Sequence, residues 1–167
     1  MPSKGNEQHI YIDTTYIQSF LMPKNDEERY RKEQVRRAIE KTHKNREIFI
    51  KFPFIVAGEL MNNLCSKYIH AADKKEVIGD FFEVLDDDKI DLIPAKADAL
   101  KLAAEIKGRD NLLGDTDLLI IAQALCDIYS TNLLTSDKKI IESQEIDSIS
   151  RDMAKRLQKL KISEGIR

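Results

Sequence analysis

Two short apolar runs in this chain each close on an aspartate, His9-Ile-Tyr-Ile-Asp13 and Asn132-Leu-Leu-Thr-Ser-Asp137. A strand that stops at a carboxylate just before a helix puts that carboxylate at the C-terminal edge of a parallel sheet. In open α/β sheets that edge is where sites form. The pattern between the two runs repeats the same theme. Strands are expected at Ile10–Ile12, Ile48–Phe52, Ile90–Ile93 and Leu133–Thr135, each separated from the next by helical periodicity. Strands that alternate with helices make an α/β domain with a mostly parallel sheet covered on both faces.

The helices follow from spacing and breakers. Thr14 to Met22 precedes Pro23, which limits that helix. Asp26-Glu-Glu28 opens a second helix with its acids at the positive end of the dipole. Pro53 suits the turn into a helix carrying Ile55, Glu59, Leu60, Leu64 and Tyr68. Asp73 is read as the cap of the next helix, with Val77, Ile78, Phe81, Phe82 and Leu85 as its core face, and Asp86-Asp-Asp88 ends it. Ala95 to Lys107 is Ala- and Leu-rich and helical, and Gly108 to Gly114 is read as a loop. The helix from Asp117 to Tyr129 is apolar nearly all round, which marks it as buried. Lys138 to Glu142 is expected to form one more turn. Ile146, Ile149, Met153, Leu157 and Leu160 recur like a coiled-coil seam, so a charged helix is expected over Ile146–Lys161.

Length and composition bound the function classes. At 167 residues with 42% hydrophobic residues, the chain can build one globular core. A formal charge of −2 gives no global basic field, so any nucleic-acid contact must be local. The most basic stretch is Arg29–Arg46, where eight of 18 residues are Lys or Arg. It is either a solvated helix face or a docking patch. Cys65 and Cys126 have no metal-type spacing and read as buried thiols in a reducing compartment. No apolar run approaches the roughly 18 to 20 residues of a membrane span. The first residues lack the apolar stretch of a signal peptide, so a soluble, cytoplasmic protein with no membrane contact is expected.

Four acids then stand at element edges: Asp13, Glu59, Asp117 and Asp137. Brought together, they cannot all stay ionised unless cations neutralise them. Hard divalent ions such as Mg²⁺ take oxygen ligands of this kind. Asp115 gives the third acid a second register. Asp117 is preferred because the apolar helix starts in phase with it, which leaves Asp115 as a cap or a contact behind the ligands. Taken singly, Asp13 and Asp137 are also ordinary helix caps, and Glu59 an ordinary helix residue. His9, His43 and His70 match no catalytic arrangement and read as structural or surface residues. No Ser-His-Asp or Cys-His arrangement, P-loop or GxGxxG is visible. A dehalogenase-type phosphatase would need a second aspartate where Thr15 stands.

The contexts of the four acids are Tyr11-Ile-Asp-Thr-Thr-Tyr-Ile17, Pro53-Phe-Ile-Val-Ala-Gly-Glu-Leu60, Gly114-Asp-Thr-Asp-Leu-Leu-Ile-Ile-Ala-Gln-Ala-Leu125 and Leu133-Leu-Thr-Ser-Asp137. In this order they resemble the PIN domain family, in particular its small VapC-like ribonucleases, from about residue 9 to about residue 142. The resemblance implies a three-layer α/β/α fold with a central, mostly parallel sheet of four or five strands. Residues 143–167 would form a helical extension that packs on the domain or on a partner. It implies that Asp13, Glu59, Asp117 and Asp137 are the catalytic acids and bind Mg²⁺ or Mn²⁺, with Asp115 as the alternative ligand. Thr14 or Thr15, and Thr135, match the family's supporting hydroxyls. The implied activity is metal-dependent endonucleolytic cleavage of single-stranded RNA. The implied partners are an antitoxin protein and a second copy of the chain. A processing nuclease outside any toxin pair, and a non-catalytic binding module, are the alternatives. The sequence departs from the family in its long basic insertion after Asp13 and in having no obvious terminal strand.

Overall fold

The structure is a computed structural model that describes residues 7–65, 70–154 and 160–166. In chain order the elements are β1 (Gln8–Ile12), α1 (Thr14–Leu21), α2 (Asp26–Lys44), β2 (Ile48–Pro53), α3 (Phe54–Leu64) and α4 (Ala71–Leu85). These are followed by β3 (Ile90–Ile93), α5 (Ala97–Arg109), α6 (Asp115–Cys126), β4 (Ser130–Leu134), α7 (Lys138–Ile141), α8 (Gln144–Ala154) and β5 (Lys161–Ser163). The five strands form one sheet in the order β3-β2-β1-β4-β5, every pair parallel. The expected three-layer α/β/α architecture is the one observed.

The strand order decides where a site can form. From β1 the chain builds outward through β2 to β3, then returns to the other side of β1 to lay down β4 and β5. The crossovers therefore leave in opposite directions from the seam between β1 and β4. In such a sheet the loops beyond the strand ends part at that seam and open a crevice. Asp13 follows β1 directly and Asp137 follows β4 by three residues, so both acids stand at its mouth.

Helices on both faces make the strands apolar. Ile10, Ile12, Ile50, Phe52, Leu133 and Leu134 are buried, and so are Val56, Leu60 and Leu64 of α3. In α6 a continuous buried run reaches from Ile120 to Leu125, as its all-round apolar pattern requires. No described helix is long and apolar enough to cross a membrane.

Several expectations are corrected. The C-terminal helix does not continue to Lys161. It is α8, ending at Ala154 within the described residues, and Lys161–Ser163 is a fifth strand parallel to β4. Ile146, Ile149 and Leu160 of the seam are buried in the domain's own core. Leu157 and the side chain of Met153 lie outside the described residues, as does Tyr68. Asp73 sits in the first turn of α4, whose cap position is His70, and Phe82 is solvent-exposed because it lies off the buried stripe of Val77 and Phe81. Helix α5 runs through Gly108 to Arg109, leaving a shorter loop. Helix α6 starts two residues early and stops at Cys126. There the Asp127 side chain takes the Tyr129 N–H at 3.0 Å and turns the chain into β4. Cys65 is exposed at the end of α3 and Cys126 half-buried, so neither is the buried thiol expected.

The terminal residues tie the sheet to the first two helices. The Thr135 N–H donates to the Ser163 carbonyl (3.2 Å). The buried Tyr16 hydroxyl donates to the Glu164 carbonyl, and the Ile166 N–H donates to Gln34 Oε1 (2.8 Å). Gly165 passes so close to α2 that an added Cβ would lie 2.9 Å from the Tyr30 hydroxyl and 3.0 Å from Gln34 Oε1. Replacing Tyr16 by Phe removes one of these ties and leaves a carbonyl without its donor. The expected cost is about 1–2 kcal/mol, read by urea denaturation. An unchanged midpoint would show that the tail does not brace α1.

Candidate active site at the carboxyl edge of the sheet

Asp13 directly follows β1 and is the N-cap of α1, where its carboxylate accepts the Tyr16 N–H at 2.9 Å. Its side chain is buried, and burial is the main reason its acidity is weakened. The pKa is pushed from 3.8 up to about 6, with the Asp117 charge adding to the rise. The Thr135 hydroxyl and the Tyr16 and Ser136 amides hold it partly back. The carboxylate is thus placed where its own charge is unwelcome and then hydrogen-bonded to keep it oriented.

Glu59 lies in the second turn of α3, and the buried Thr14 hydroxyl donates to its Oε2. Of the two candidate threonines, Thr14 therefore makes the supporting contact, while Thr15 is exposed and gives its carbonyl to Ser19. Asp117 occupies the first turn of α6. Its pKa is raised by burial first, then by the charges of Asp137 and Glu59, against the Gly114 amide and Lys139. Asp137 caps α7 through the Lys139 N–H (2.8 Å), and its own N–H donates to Thr135 Oγ1 (3.1 Å).

Four elements thus bring four acids to one edge, each feeling at least one other. Asp115 is not among them. It is exposed and ion-paired with Lys107 Nζ at 3.1 Å, because the first turn of α6 points residues two apart in different directions. As the side chains are placed, no group of three His, Cys, Asp or Glu residues among the described residues closes into a metal shell. The donor set is nevertheless all carboxylate, and two of its members are held toward their neutral forms. That chemistry suits a hard divalent cation, which favours the ionised forms.

Two supporting groups escaped the sequence reading. Gly114 caps α6, and a Cβ there would lie 2.9 Å from Asp117 Oδ2, so a side chain at 114 would displace the acid. Gly before an Asp-x-Asp pair was the available signal. The Ser136 amide bonds Asp13, a backbone contact that no residue type announces.

The basic stretch of α2 matches the first of its two readings, a solvated helix face whose charges pair within the helix. In α2, Arg29 pairs with Asp26, Arg31 with Glu27, Arg36 with Glu33 and Glu40, and Arg37 with Glu33. Elsewhere Lys51 pairs with Asp91, and Arg109 with Glu105 and Glu145. Lys139 acts on Asp117.

A family model described as PIN domain matches residues 10–159. The chain belongs to the PIN domain family. That family is generally one of nucleases. No curated protein matches in sequence. Among solved structures, the fold is similar to a chain of VapBC2 from Rickettsia felis, solved bound to a DNA fragment from their promoter. There the identity is 18%, the TM-score 0.62, and 93% of this chain and 98% of that chain are covered. FitAcB from Neisseria gonorrhoeae is more distant, at 14% identity and a TM-score of 0.50, covering 84% of this PIN domain chain and 92% of that one.

The burial of Asp13 gives a pH signature. An acid whose folded pKa lies above its unfolded value favours the native state at low pH, and that contribution is lost as pH rises from 3.8 through about 6. Asparagine caps helices as well as aspartate. Without divalent metal, Asp13→Asn should therefore be the more stable protein at pH 8, by on the order of 2–3 kcal/mol. The advantage should vanish near pH 4. Urea denaturation in EDTA across that range measures it, and a constant difference would rule out the linkage.

Proposed function

We propose that this PIN domain protein is a Mg²⁺- or Mn²⁺-dependent endoribonuclease that cuts single-stranded RNA, acting as the toxin of a toxin–antitoxin pair. The observation that carries the reading is the electrostatic crowding of acids at the β1/β4 seam. Asp13 and Asp117 are both held toward neutrality there, and each feels the charge of a fellow acid. Such crowding disfavours the empty site and favours a cation, the usual economy of a metal-dependent phosphodiesterase.

In this reading Asp13, Glu59, Asp117 and Asp137 hold the ion, which when bound supplies an activated water and a clamp on the phosphate oxygens. The protein's own share is orientation. Thr14 fixes Glu59 through a hydrogen bond from a buried hydroxyl. Thr135 serves two acids at once, bonding the Asp13 carboxylate and accepting the Asp137 N–H. Contacts behind a metal's ligands typically matter 10–100-fold, roughly, in affinity or activity. Lys139 adds a positive charge beside Asp117 that suits an approaching phosphate.

The toxin role is supported by the likeness to a chain of VapBC2, a complex whose name joins two proteins and which was solved on their promoter DNA. A protein partner, an antitoxin corresponding to the other protein of that complex, is the matching expectation for this chain, together with a homodimer and a cytoplasmic setting. A processing nuclease that docks structured RNA on α2 is less favoured, since the cations of that helix are largely spent on its own acids.

The test is cleavage of a labelled single-stranded RNA by the purified protein with Mg²⁺ or Mn²⁺. Asp13→Asn and Asp117→Asn should each lower the rate by on the order of 100-fold or more, Thr14→Val by roughly 10-fold. Asp115→Asn should cleave normally. Cleavage that survives EDTA, or that persists in both aspartate variants, would refute the proposal.

A further inference from the structure

Helix α2 buries a polar side chain on its core face. Val35 and Ala38 pack inward, and Gln34 joins them at 3% exposure. A buried side-chain amide needs a hydrogen-bond partner. Gln34 Oε1 takes the Ile166 N–H at 2.8 Å, from 132 residues away in sequence. The chain reaches that amide from β5 through Ser163, Glu164 and Gly165. The Ser163 hydroxyl donates to the Gly165 carbonyl at 2.8 Å, and Ile166 is itself buried. This tail is therefore held at both ends, by pairing with β4 at Ser163 and by Gln34 at Ile166.

Between those ends, two consecutive carbonyls hold two supports of one acid. The Asp13 carboxylate is bonded by the Tyr16 N–H and by the Thr135 hydroxyl. The Thr135 N–H donates to the Ser163 carbonyl at 3.2 Å, and the Tyr16 hydroxyl donates to the Glu164 carbonyl. Each of these two supports thus takes part of its own position from the tail. Thr135 also accepts the Asp137 N–H, so the tail stands behind two acids of the edge. The orientation of a ligating carboxylate depends on such contacts behind it. The tail is lightly built, since β5 is three residues long and lies at the edge of the sheet. Short edge segments with few contacts open at lower cost than the whole domain.

We propose that residues 163–166 are a brace that sets the pose of Asp13, and that Gln34 is the positioning residue that fastens it. The proposal rests on the reading of Asp13 as a metal ligand. With the brace docked, Tyr16 and Thr135 hold the carboxylate in one orientation. With Ile166 released from Gln34, the Ser163 and Glu164 carbonyls are free to withdraw. Asp13 then loses its fixed supports while the rest of the core stays packed. Gln34 acts through the tail, so its effect falls on ion affinity and turnover and not on RNA binding. Linkage makes the coupling reciprocal: the docked brace favours the loaded site, and the loaded site favours the docked brace.

The experiment uses the full chain and its Gln34→Leu and Gly165→Ala variants. The first removes the acceptor of the Ile166 N–H, and the second puts a methyl group 3.0 Å from that acceptor. Val77→Ala controls for lost stability, because it opens the core in α4, which packs on β3 at the other edge of the sheet from β5. Mn²⁺ affinity is measured by calorimetry where circular dichroism shows all four proteins folded. It should fall roughly 10-fold in both tail variants and stay unchanged in Val77→Ala. In RNA cleavage the tail variants should lose kcat by about the same factor and keep the wild-type KM. In the wild-type chain, saturating Mg²⁺ should slow hydrogen exchange of the Ile166 amide roughly 10-fold, the same coupling read from the other end. Tail variants that bind Mn²⁺ as the wild type does would overturn the brace. So would an Ile166 amide that exchanges equally with and without Mg²⁺, or an equal loss of affinity in Val77→Ala. A wild-type chain that binds no Mn²⁺ is a separate outcome, which removes the nuclease reading and the brace with it.

Discussion

The Asp13 carboxylate is the contact on which the two halves of this structure depend. It ends the central strand, starts the first helix by accepting the Tyr16 N–H, and is gripped from β4's side by Thr135 and Ser136. It is also buried, and its neighbour Asp117 is an acid. A buried, hydrogen-bonded carboxylate is favoured by its donors and disfavoured by its solvent, so its charge is balanced near neutrality rather than fixed. A helix cap and a candidate ligand are usually offered as competing explanations of one aspartate. Here the cap supplies the orientation that a ligand needs.

The same economy runs through the rest of the edge. Asp137 caps α7 and leans on Thr135, while Asp117 is set by the cap of α6, where only glycine leaves it room. Asp13, Asp117 and Asp137 each stand at the start of a helix, where free N–H groups favour negative charge. The sheet order then gathers these helix starts around a single seam. The stability of the edge is linked to the chain terminus, since the tail after β5 bonds Tyr16 one turn into the helix that Asp13 caps. A local change at residues 163–166 therefore has a path to the site through packed, hydrogen-bonded groups.

Much of this was legible in the chain. The four strands before β5, the alternation with helices and the four acids all stand where apolar periodicity and breakers put them. Local signals sufficed because each of those elements has its own hydrophobic face and its own cap. β5 was missed because Lys161-Ile-Ser163 is three residues long and stands just past a heptad-like spacing. Its identity as a strand comes from pairing with β4, a contact between distant residues. The basic stretch of α2 was left with two readings for a related reason. Composition counts its cations but cannot say that arginines three and four residues from glutamates spend their charge within the helix.

By itself the sequence determined the α/β class, the positions of the strands that precede helices, and which acids could meet, because these follow from period, burial and capping over a few residues. Only the tertiary structure decided that Asp117 and not Asp115 turns toward Asp13, Glu59 and Asp137. It alone decided that Thr14 rather than Thr15 braces Glu59, and that Tyr11, Lys51 and Asp91 stand in register across three strands. Those outcomes rest on the direction of side chains at a helix start and on the register between strands. Both are set by packing across the whole domain, which no short stretch of chain contains.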